Sequence, residues 1–111
     1  MTTKPLPLER QIDKSKLVEY LLHPVNSRGK SGYFSLYGYS LANWEDLRAS
    51  LLEHAQRWPV ATVVATNFGT KYIVTGTLKT PNGRQPLPVI TAVWQQDNGD
   101  IDVRLITAYP G

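Results

Sequence analysis

The chain has 111 residues, which is enough for one compact domain and too few for two. Its 12 Lys and Arg residues against 9 Asp and Glu give a net charge of +3, and with 41% apolar residues this composition excludes intrinsic disorder over most of the chain. No apolar run approaches the ~20 residues of a membrane span, no secretion signal is recognisable, and the absence of cysteine excludes disulfides and thiol nucleophiles. We therefore expect a cytoplasmic protein without membrane contact.

The N-terminal part of the chain predicts a short lead-in followed by a helix. Residues 1–12 carry prolines and no sustained periodicity, so we expect an extended lead-in to a single domain of residues 13–110. Asp13 is a candidate N-cap for a first helix over 14–22. The apolar side chains of this helix share one face, and they are Leu17, Val18, Leu21 and Leu22. Pro24 ends the helix because its ring disfavours helical backbone in the residue before it.

A glycine-rich connection and a second helix come next. Residues 24–42 contain three glycines, and their length predicts a functional loop. The loop has its own aromatic anchors, Tyr33, Phe34, Tyr37 and Tyr39. Apolar periodicity then predicts a helix over 44–57, with Ser40 or Asn43 as its N-cap. His54 lies on the flank of the apolar stripe of this helix, which predicts a histidine at the boundary of the core.

After the second helix the apolar period changes to 2 and β-branched residues dominate. The predicted strands are Val60–Thr66, Lys71–Lys79, Val89–Gln95 and Ile101–Tyr109. Short connections require antiparallel pairing, so we expect an α+β fold with two N-terminal helices packed on one face of a four-stranded antiparallel meander sheet. Alternation places Tyr72, Val74 and Leu78 beneath the helices. Our hypothesis is that the open face is cationic and carries Lys71, Lys79 and Arg104 together with Thr75 and Thr77.

Several stretches of the sequence together resemble one uncharacterised bacterial family. They are Tyr20-Leu21-Leu22, Gly29–Phe34, Gly38-Tyr39, Asn43-Trp44, Gly69–Tyr72, Leu78–Arg84, Val93-Trp94 and Arg104–Pro110. The family is a domain of unknown function that is frequent in cyanobacteria and also occurs at the C-terminus of large polymorphic toxins. The resemblance covers residues 15–110. Its order of helices and four strands is similar to the barnase, EndoU, colicin and RelE group of metal-independent ribonucleases, which implies RNA as a ligand and an immunity or other protein as a partner.

The implied reaction defines which residue types to look for. Metal-free cleavage of RNA needs a group that takes the 2′-hydroxyl proton, a group that protonates the leaving oxygen, and cations that bind phosphate. The candidate catalytic residues are His23, Arg104, Thr107 and Tyr109. The candidate nucleic-acid-binding residues are Arg28, Lys30, Lys71, Lys79 and Arg84. We expect no cofactor and no metal, since two histidines do not supply a zinc ligand set.

Structural roles compete with the catalytic ones for three of these residues. A histidine next to Pro24 is also typical of a helix end, which is the simpler interpretation of His23. Strict alternation along the last strand puts Thr107 and Tyr109 on the same face as Leu105, where Tyr109 would close the core.

One departure from the family pattern bears on activity. The family usually has an arginine three residues before the tryptophan of the third strand, and this sequence has Thr91 there. Threonine cannot replace a bidentate phosphate ligand, so an inactive relative is one form of the RNA-directed interpretation. The alternative from another class is a non-enzymatic protein-interaction module that docks a protein on the open sheet face or on the aromatic segment 33–39.

Overall fold

The computed structural model describes residues 5–111 as a helical layer packed on a mixed five-stranded sheet. The helices are α1 (Lys14–Lys16), which continues as a π-helical turn over Leu17–Leu21, then α2 (Lys30–Ser35) and α3 (Trp44–Arg57), with a 3₁₀ turn over Leu41–Asn43 before α3. The strands are β1 (Arg10–Gln11), β2 (Val60–Thr66), β3 (Gly69–Thr77), β4 (Val89–Asp97) and β5 (Val103–Pro110). Their order across the sheet is β1-β5-β4-β3-β2. Residues 1–4 of the predicted lead-in lie outside the described residues.

The α+β class and the antiparallel meander of the last four strands are confirmed. β2 pairs with β3, β3 with β4 and β4 with β5, all antiparallel. The expectation of four strands was wrong, because β1 pairs with β5 in parallel and makes the sheet mixed. Leu6 and Ile12, which flank β1, are both buried, and this burial holds the segment against the sheet. A strand of two residues carries no periodicity that a sequence pattern can show.

The expectation of two N-terminal helices was also wrong, because the helical layer has three, and the predicted first helix is α-helical only over Lys14–Lys16. The segment 24–42 contains α2 and the 3₁₀ turn instead of one long loop. Gly29 adopts a left-handed conformation, with φ of 92°, immediately before α2 begins, and the hydroxyl oxygen of the buried Ser27 accepts the N–H of Ser31 in its first turn. Phe34 of α2 is fully buried. Burial of this aromatic side chain therefore stabilises a helix that the low helix propensity of its glycine disfavours.

The core lies between the helices and the inner face of the sheet. Its largest fully buried side chains include Trp94, Tyr39, Tyr72, Phe34, Leu17, Leu47, Leu51 and Leu78. The inner face predicted for β3 is confirmed, since Tyr72 and Val74 are fully buried, and so is Leu78, which directly follows the strand. None of the helices within residues 5–111 has the length and apolar character that crossing a membrane requires.

His54 lies in the core and not at its boundary, which corrects the prediction for this residue. Its side chain is fully buried, and its ring Nε2 lies 2.9 Å from the carbonyl oxygen of Ile90 and 3.1 Å from that of Gly76. Two carbonyl acceptors require a proton on Nε2. Burial is the main cause that lowers the pKa of His54 below its ordinary value of 6.5, so the ring is neutral. Its contacts with the two carbonyl oxygens join α3 to β3 and β4.

A β-bulge in β5 reverses the side-chain alternation that the sequence suggests. Leu105 pairs with Trp94 while Thr107 pairs with Val93, so Ile106 is the extra residue in this strand. Before the bulge Leu105 points inward, and after it Ala108 is the buried residue. Thr107 and Tyr109 consequently lie on the face turned away from the helices, which we call the outer face. The expectation that they share the face of Leu105 was wrong.

Candidate functional site

Three polar side chains from distant parts of the sequence meet at the edge of β5. The ammonium Nζ of Lys30 lies 2.6 Å from the phenol oxygen of Tyr20 and 3.2 Å from the hydroxyl oxygen of Thr107. The oxygens of Tyr20 and Thr107 are 3.5 Å apart. All three residues are only partly buried, so a ligand can reach them. We call Tyr20, Lys30 and Thr107 the edge cluster.

Local backbone features bring these three residues together. The π-helical turn closes with the N–H of Leu22 donating to the carbonyl of Leu17, and Tyr20 lies in this turn beside the buried Leu21. Lys30 is the first residue of α2, directly after the left-handed Gly29. Thr107 follows the bulge of β5. Bulges commonly redirect a side chain beside a functional site, and here the bulge places a hydroxyl at the sheet edge that the helices reach.

The electrostatic environment favours the ionised form of Tyr20. Hydrogen bonds from Lys30 and Thr107 are the largest causes that lower the pKa of Tyr20, and they outweigh the opposing effect of burial. A second cation, the ammonium of Lys16, lies 5.5 Å from the centre of the Tyr20 ring, and that of Lys30 lies 4.8 Å from it. A phenol with two neighbouring ammonium groups is suited to bind an anion and to exchange a proton.

The structure gives His23 a structural position. Its ring Nδ1 accepts hydrogen bonds from the backbone N–H groups of Val25 and Asn26, at 3.1 and 3.0 Å. The ring therefore closes the turn that follows the π-helical segment, in agreement with the simpler interpretation from the sequence. No hydrogen bond joins His23 to the edge cluster in the described part of the chain.

The candidates of the last strand are spread along the outer face of β5. Arg104 forms an exposed ion pair with Asp97, with 3.2 Å between Nε and Oδ2. Because Ile106 is the extra residue of the bulge, Arg104 and Thr107 pair with Gln95 and Val93 and lie about 7 Å apart along the strand. Tyr109 is 39% exposed and lies one alternate position beyond Thr107, where it pairs with Thr91 on β4. Thr107 therefore has Arg104 on one side and Tyr109 at the same spacing on the other, and Arg104 is held by its ion pair with Asp97.

Thr91, where the resemblance led us to expect an arginine, faces outward beside Tyr109. Its hydroxyl donates to the carbonyl oxygen of Gly111 and lies 2.9 Å from the hydroxyl oxygen of Thr75. Its side chain is buried by these neighbours. The hydroxyl is therefore engaged within the chain, at a position from which a longer side chain would extend over the outer face.

The five predicted nucleic-acid-binding residues do not form one patch. Lys30 is in the edge cluster, and Arg28 is an exposed residue two positions before it. Lys71 lies on the outer face and shares a cross-strand row with Gln95 and Arg104. β3 ends at Thr77, so Lys79 lies beyond the strand, beside Asp46 and Ser50 of α3. Arg84 is exposed in the connection that follows it.

The hypothesis of a strongly cationic open face is therefore corrected. Among the described outer-face positions of β2–β5, the cationic side chains are Lys71 and Arg104, which lie two strand spacings or about 10 Å apart. Asp97 offsets the charge of Arg104. Partly exposed apolar side chains, Ile73 and Val93, occupy the middle of the face, and Val64 is exposed at its β2 edge. Positive charge is concentrated instead at the edge, on Lys16, Arg28 and Lys30.

Tyr20 is the site residue that sequence reasoning missed. In the sequence it stands only within one of the stretches that resemble the family, and no local pattern marks it as a site residue. Ten residues separate Tyr20 from Lys30 and 87 separate it from Thr107, and no spacing rule joins positions so far apart. Within residues 5–111, no three side chains of the metal-binding types, His, Cys, Asp and Glu, group together.

The fold and the site define a class of α+β protein with a tyrosine–lysine–threonine cluster at the edge of a mixed sheet. The family comparison gives the particular family. The model of the domain of unknown function DUF6883 matches residues 8–111, and the chain belongs to this family. The comparison with curated proteins found no match, and neither did the comparison with solved structures.

Proposed function

We propose that this chain binds RNA at the edge cluster and cleaves it without a metal ion, as a ribonuclease-like effector. The observation that carries the proposal is the contact of the Lys30 ammonium with the oxygens of Tyr20 and Thr107, 2.6 and 3.2 Å away. An ammonium held at a partly exposed sheet edge binds a phosphate, and the phenol beside it supplies a group for proton transfer. The order of helices and strands, which is similar to that of metal-independent ribonucleases, implies the same substrate class.

The proposed chemistry assigns a role to each side chain. The phenolate form of Tyr20 takes the proton of a ribose 2′-hydroxyl, whose oxygen forms a bond to the adjacent phosphorus. The bond from phosphorus to the 5′-oxygen breaks, and the phenol of Tyr109 gives that oxygen its proton. Lys30 and Thr107 donate hydrogen bonds to the phosphoryl oxygens, on which negative charge increases in the transition state. The products are a 2′,3′-cyclic phosphate and a 5′-hydroxyl end.

RNA binding is tested by fluorescence anisotropy with a labelled single-stranded RNA over a series of salt concentrations. A lysine that contacts phosphate contributes about one unit to the slope of log affinity against log salt. We expect Lys30→Met to weaken binding and to reduce this slope by about one unit. Lys79→Met is the matched control, because it removes an exposed lysine that is separate from the edge cluster, and it should leave the slope unchanged.

Cleavage is tested separately, with end-labelled RNA in the presence of a chelator and with detection of the cyclic phosphate end. We expect cleavage by the wild type and its loss in Tyr20→Phe and Thr107→Val. Binding without cleavage would identify the chain as an inactive relative. Thr91→Arg, which restores the residue usual in the family beside Tyr109, should then raise the activity. Absence of binding at low salt would contradict the RNA-directed proposal as a whole.

A specific observation supports one alternative, a protein-interaction module that uses the outer face. Ile73 and Val93 are partly exposed neighbours at the centre of that face, and a mixed apolar and threonine surface suits a protein better than a polyanion. The other proposed docking segment, 33–39, is less suited, because the rings of Phe34 and Tyr39 are buried in the core. Affinity for a protein that Ile73→Lys abolishes, together with no affinity for RNA, would favour this alternative.

A further inference from the structure

β2 is a sheet edge whose regular part, after the bulge at its start, lacks the charges and prolines that normally prevent edge-to-edge pairing. Every residue from Ala61 to Thr66 is exposed. Within residues 5–111, no strand pairs with the side of β2 that lies away from β3. The sequence of this strand, Val-Ala-Thr-Val-Val-Ala-Thr, has neither a charge nor a proline. Proteins usually protect such an edge with lysine, proline or a covering segment, because alternate residues present unpaired N–H and C=O groups there.

The central part of β2 is complementary to itself. The bulge between Val60 and Thr62 lies at the start of the strand, so the regular part runs from Thr62 to Thr66 and has Val64 at its centre. A two-fold axis at Val64 would place Thr62 opposite Thr66 of a second copy and Val63 opposite Ala65. Threonine pairs and β-branched pairs across strands are favourable. A residue on a two-fold axis lies opposite the same residue of the second copy. Because β2 carries no charged side chain, no like charges meet at the axis.

The two ends of β2 are complementary as well. Phe68, in the turn that follows the strand, is 80% exposed. At the other end, a cavity of about 350 Å³ is lined by Leu8, Trp58, Pro59 and Val60, together with Arg10 and Gln56. An antiparallel pairing centred on Val64 brings the turn that carries Phe68 in each copy to the end of the strand that carries Val60 in the other. An exposed apolar ring and a largely apolar cavity then lie at the same end of the paired strands, and this occurs twice.

We propose that two copies of this chain pair in antiparallel fashion through β2, so that two five-stranded sheets become one continuous sheet with the Phe68 turn of each copy beside the partner's cavity. The partner of this strand is a second copy because Thr62–Thr66 matches itself under one axis and carries no charge that would repel it. None of the edge-cluster residues takes part in the pairing. Tyr20, Lys30 and Thr107 lie at the opposite edge of the sheet, and each copy keeps its own site.

Sedimentation velocity over a concentration series tests the assembly. We expect the wild type to convert from monomer to dimer and Val64→Glu to raise the dissociation constant at least tenfold, or ~1.4 kcal/mol. Within one copy, a glutamate at this position faces Lys71, so the monomer stays stable, whereas the dimer sets two carboxylates against each other. Ile101→Glu is the matched control, since Ile101 is 79% exposed and lies outside the strands. It should dimerise like the wild type.

Cysteine cross-linking tests the register, because the natural chain has no cysteine. Val64→Cys should oxidise to a disulfide-linked dimer faster than Ile101→Cys, since directly opposed residues of paired strands lie within disulfide distance. Thr62→Cys alone should cross-link slowly, but rapidly when mixed with Thr66→Cys. Circular dichroism confirms that each variant is folded. A wild type that stays monomeric at every concentration, a dimer that Val64→Glu leaves intact, or equal cross-linking rates at positions 64 and 101 would each overturn the proposal.

Discussion

Removal of the Tyr20 hydroxyl is the change that most directly tests the proposed site. In Tyr20→Phe the Lys30 ammonium loses a contact of 2.6 Å and Thr107 one of 3.5 Å. Both partners are partly exposed and can turn to water, so we expect a loss of folding stability of no more than about 1 kcal/mol. If the phenol transfers the proton in catalysis, cleavage should fall by about 10²- to 10⁴-fold.

Tyr39 provides a matched comparison, because it is a tyrosine with the opposite environment. It is buried, and its hydroxyl lies 2.7 Å from both the Ser50 hydroxyl and the carbonyl oxygen of Lys79. Tyr39→Phe leaves these groups without their partner, which should cost about 1–3 kcal/mol of stability. The folded fraction of this variant should cleave RNA like the wild type. Urea denaturation gives the stabilities, and initial rates of cleavage give the activities.

The pH dependence of the two variants separates them further. Hydrogen bonds from Lys30 and Thr107 hold the pKa of Tyr20 below 10.0. The cleavage rate of the wild type should therefore rise with pH and level off below pH 10. Burial raises the pKa of Tyr39 to about 12. The unfolded chain therefore loses this proton first, and the stability that Tyr39 contributes is lost as pH rises from 10 towards 12. Tyr39→Phe should remove that loss. Full cleavage by Tyr20→Phe, or an equal loss of stability in both variants, would refute the assigned roles.

Three further predictions concern the scaffold. His54→Gln should reduce the loss of stability, measured by urea denaturation, between pH 7.5 and pH 5.5. In the wild type the unfolded chain takes up a proton on His54 below the ordinary pKa of 6.5, whereas burial lowers this pKa in the folded chain. A variant that loses as much stability as the wild type over this range would contradict this. Gly76→Ala should destabilise the protein by about 1–3 kcal/mol, since an added Cβ would lie 2.4 Å from the Trp58 ring. Gly32→Ala has open space around the added Cβ and should stabilise α2. Thermal melts of the two variants measure both effects. Arg28→Gly should raise stability by about 1 kcal/mol, because Arg28 has a φ of 55°, a left-handed conformation that glycine adopts without strain. The same variant should weaken RNA binding. A loss of stability instead would show that the arginine side chain makes a contact that outweighs the strain.

The sequence by itself was sufficient where the cause of structure is local. The helix over 44–57 and the strand Val60–Thr66 have the predicted bounds, because each follows from an apolar period and a proline at the boundary between them. The inner face of β3 followed from alternation alone, as the burial of Tyr72 and Val74 shows. These features depend on residues within a few positions of one another, and such spacings can be counted in a sequence.

Tertiary structure alone decided the candidate site. The extra residue Ile106 turns Thr107 outward, and strict alternation cannot anticipate a bulge, because a bulge depends on how β5 registers with β4. The contact of Lys30 with Tyr20 and Thr107 joins two helical segments to the last strand. Its formation depends on how the helical layer packs against the sheet, and no local pattern contains that information. The sequence thus determined the elements that have a local pattern, such as α3 and β2, whereas packing determined β1, α2 and which side chains meet.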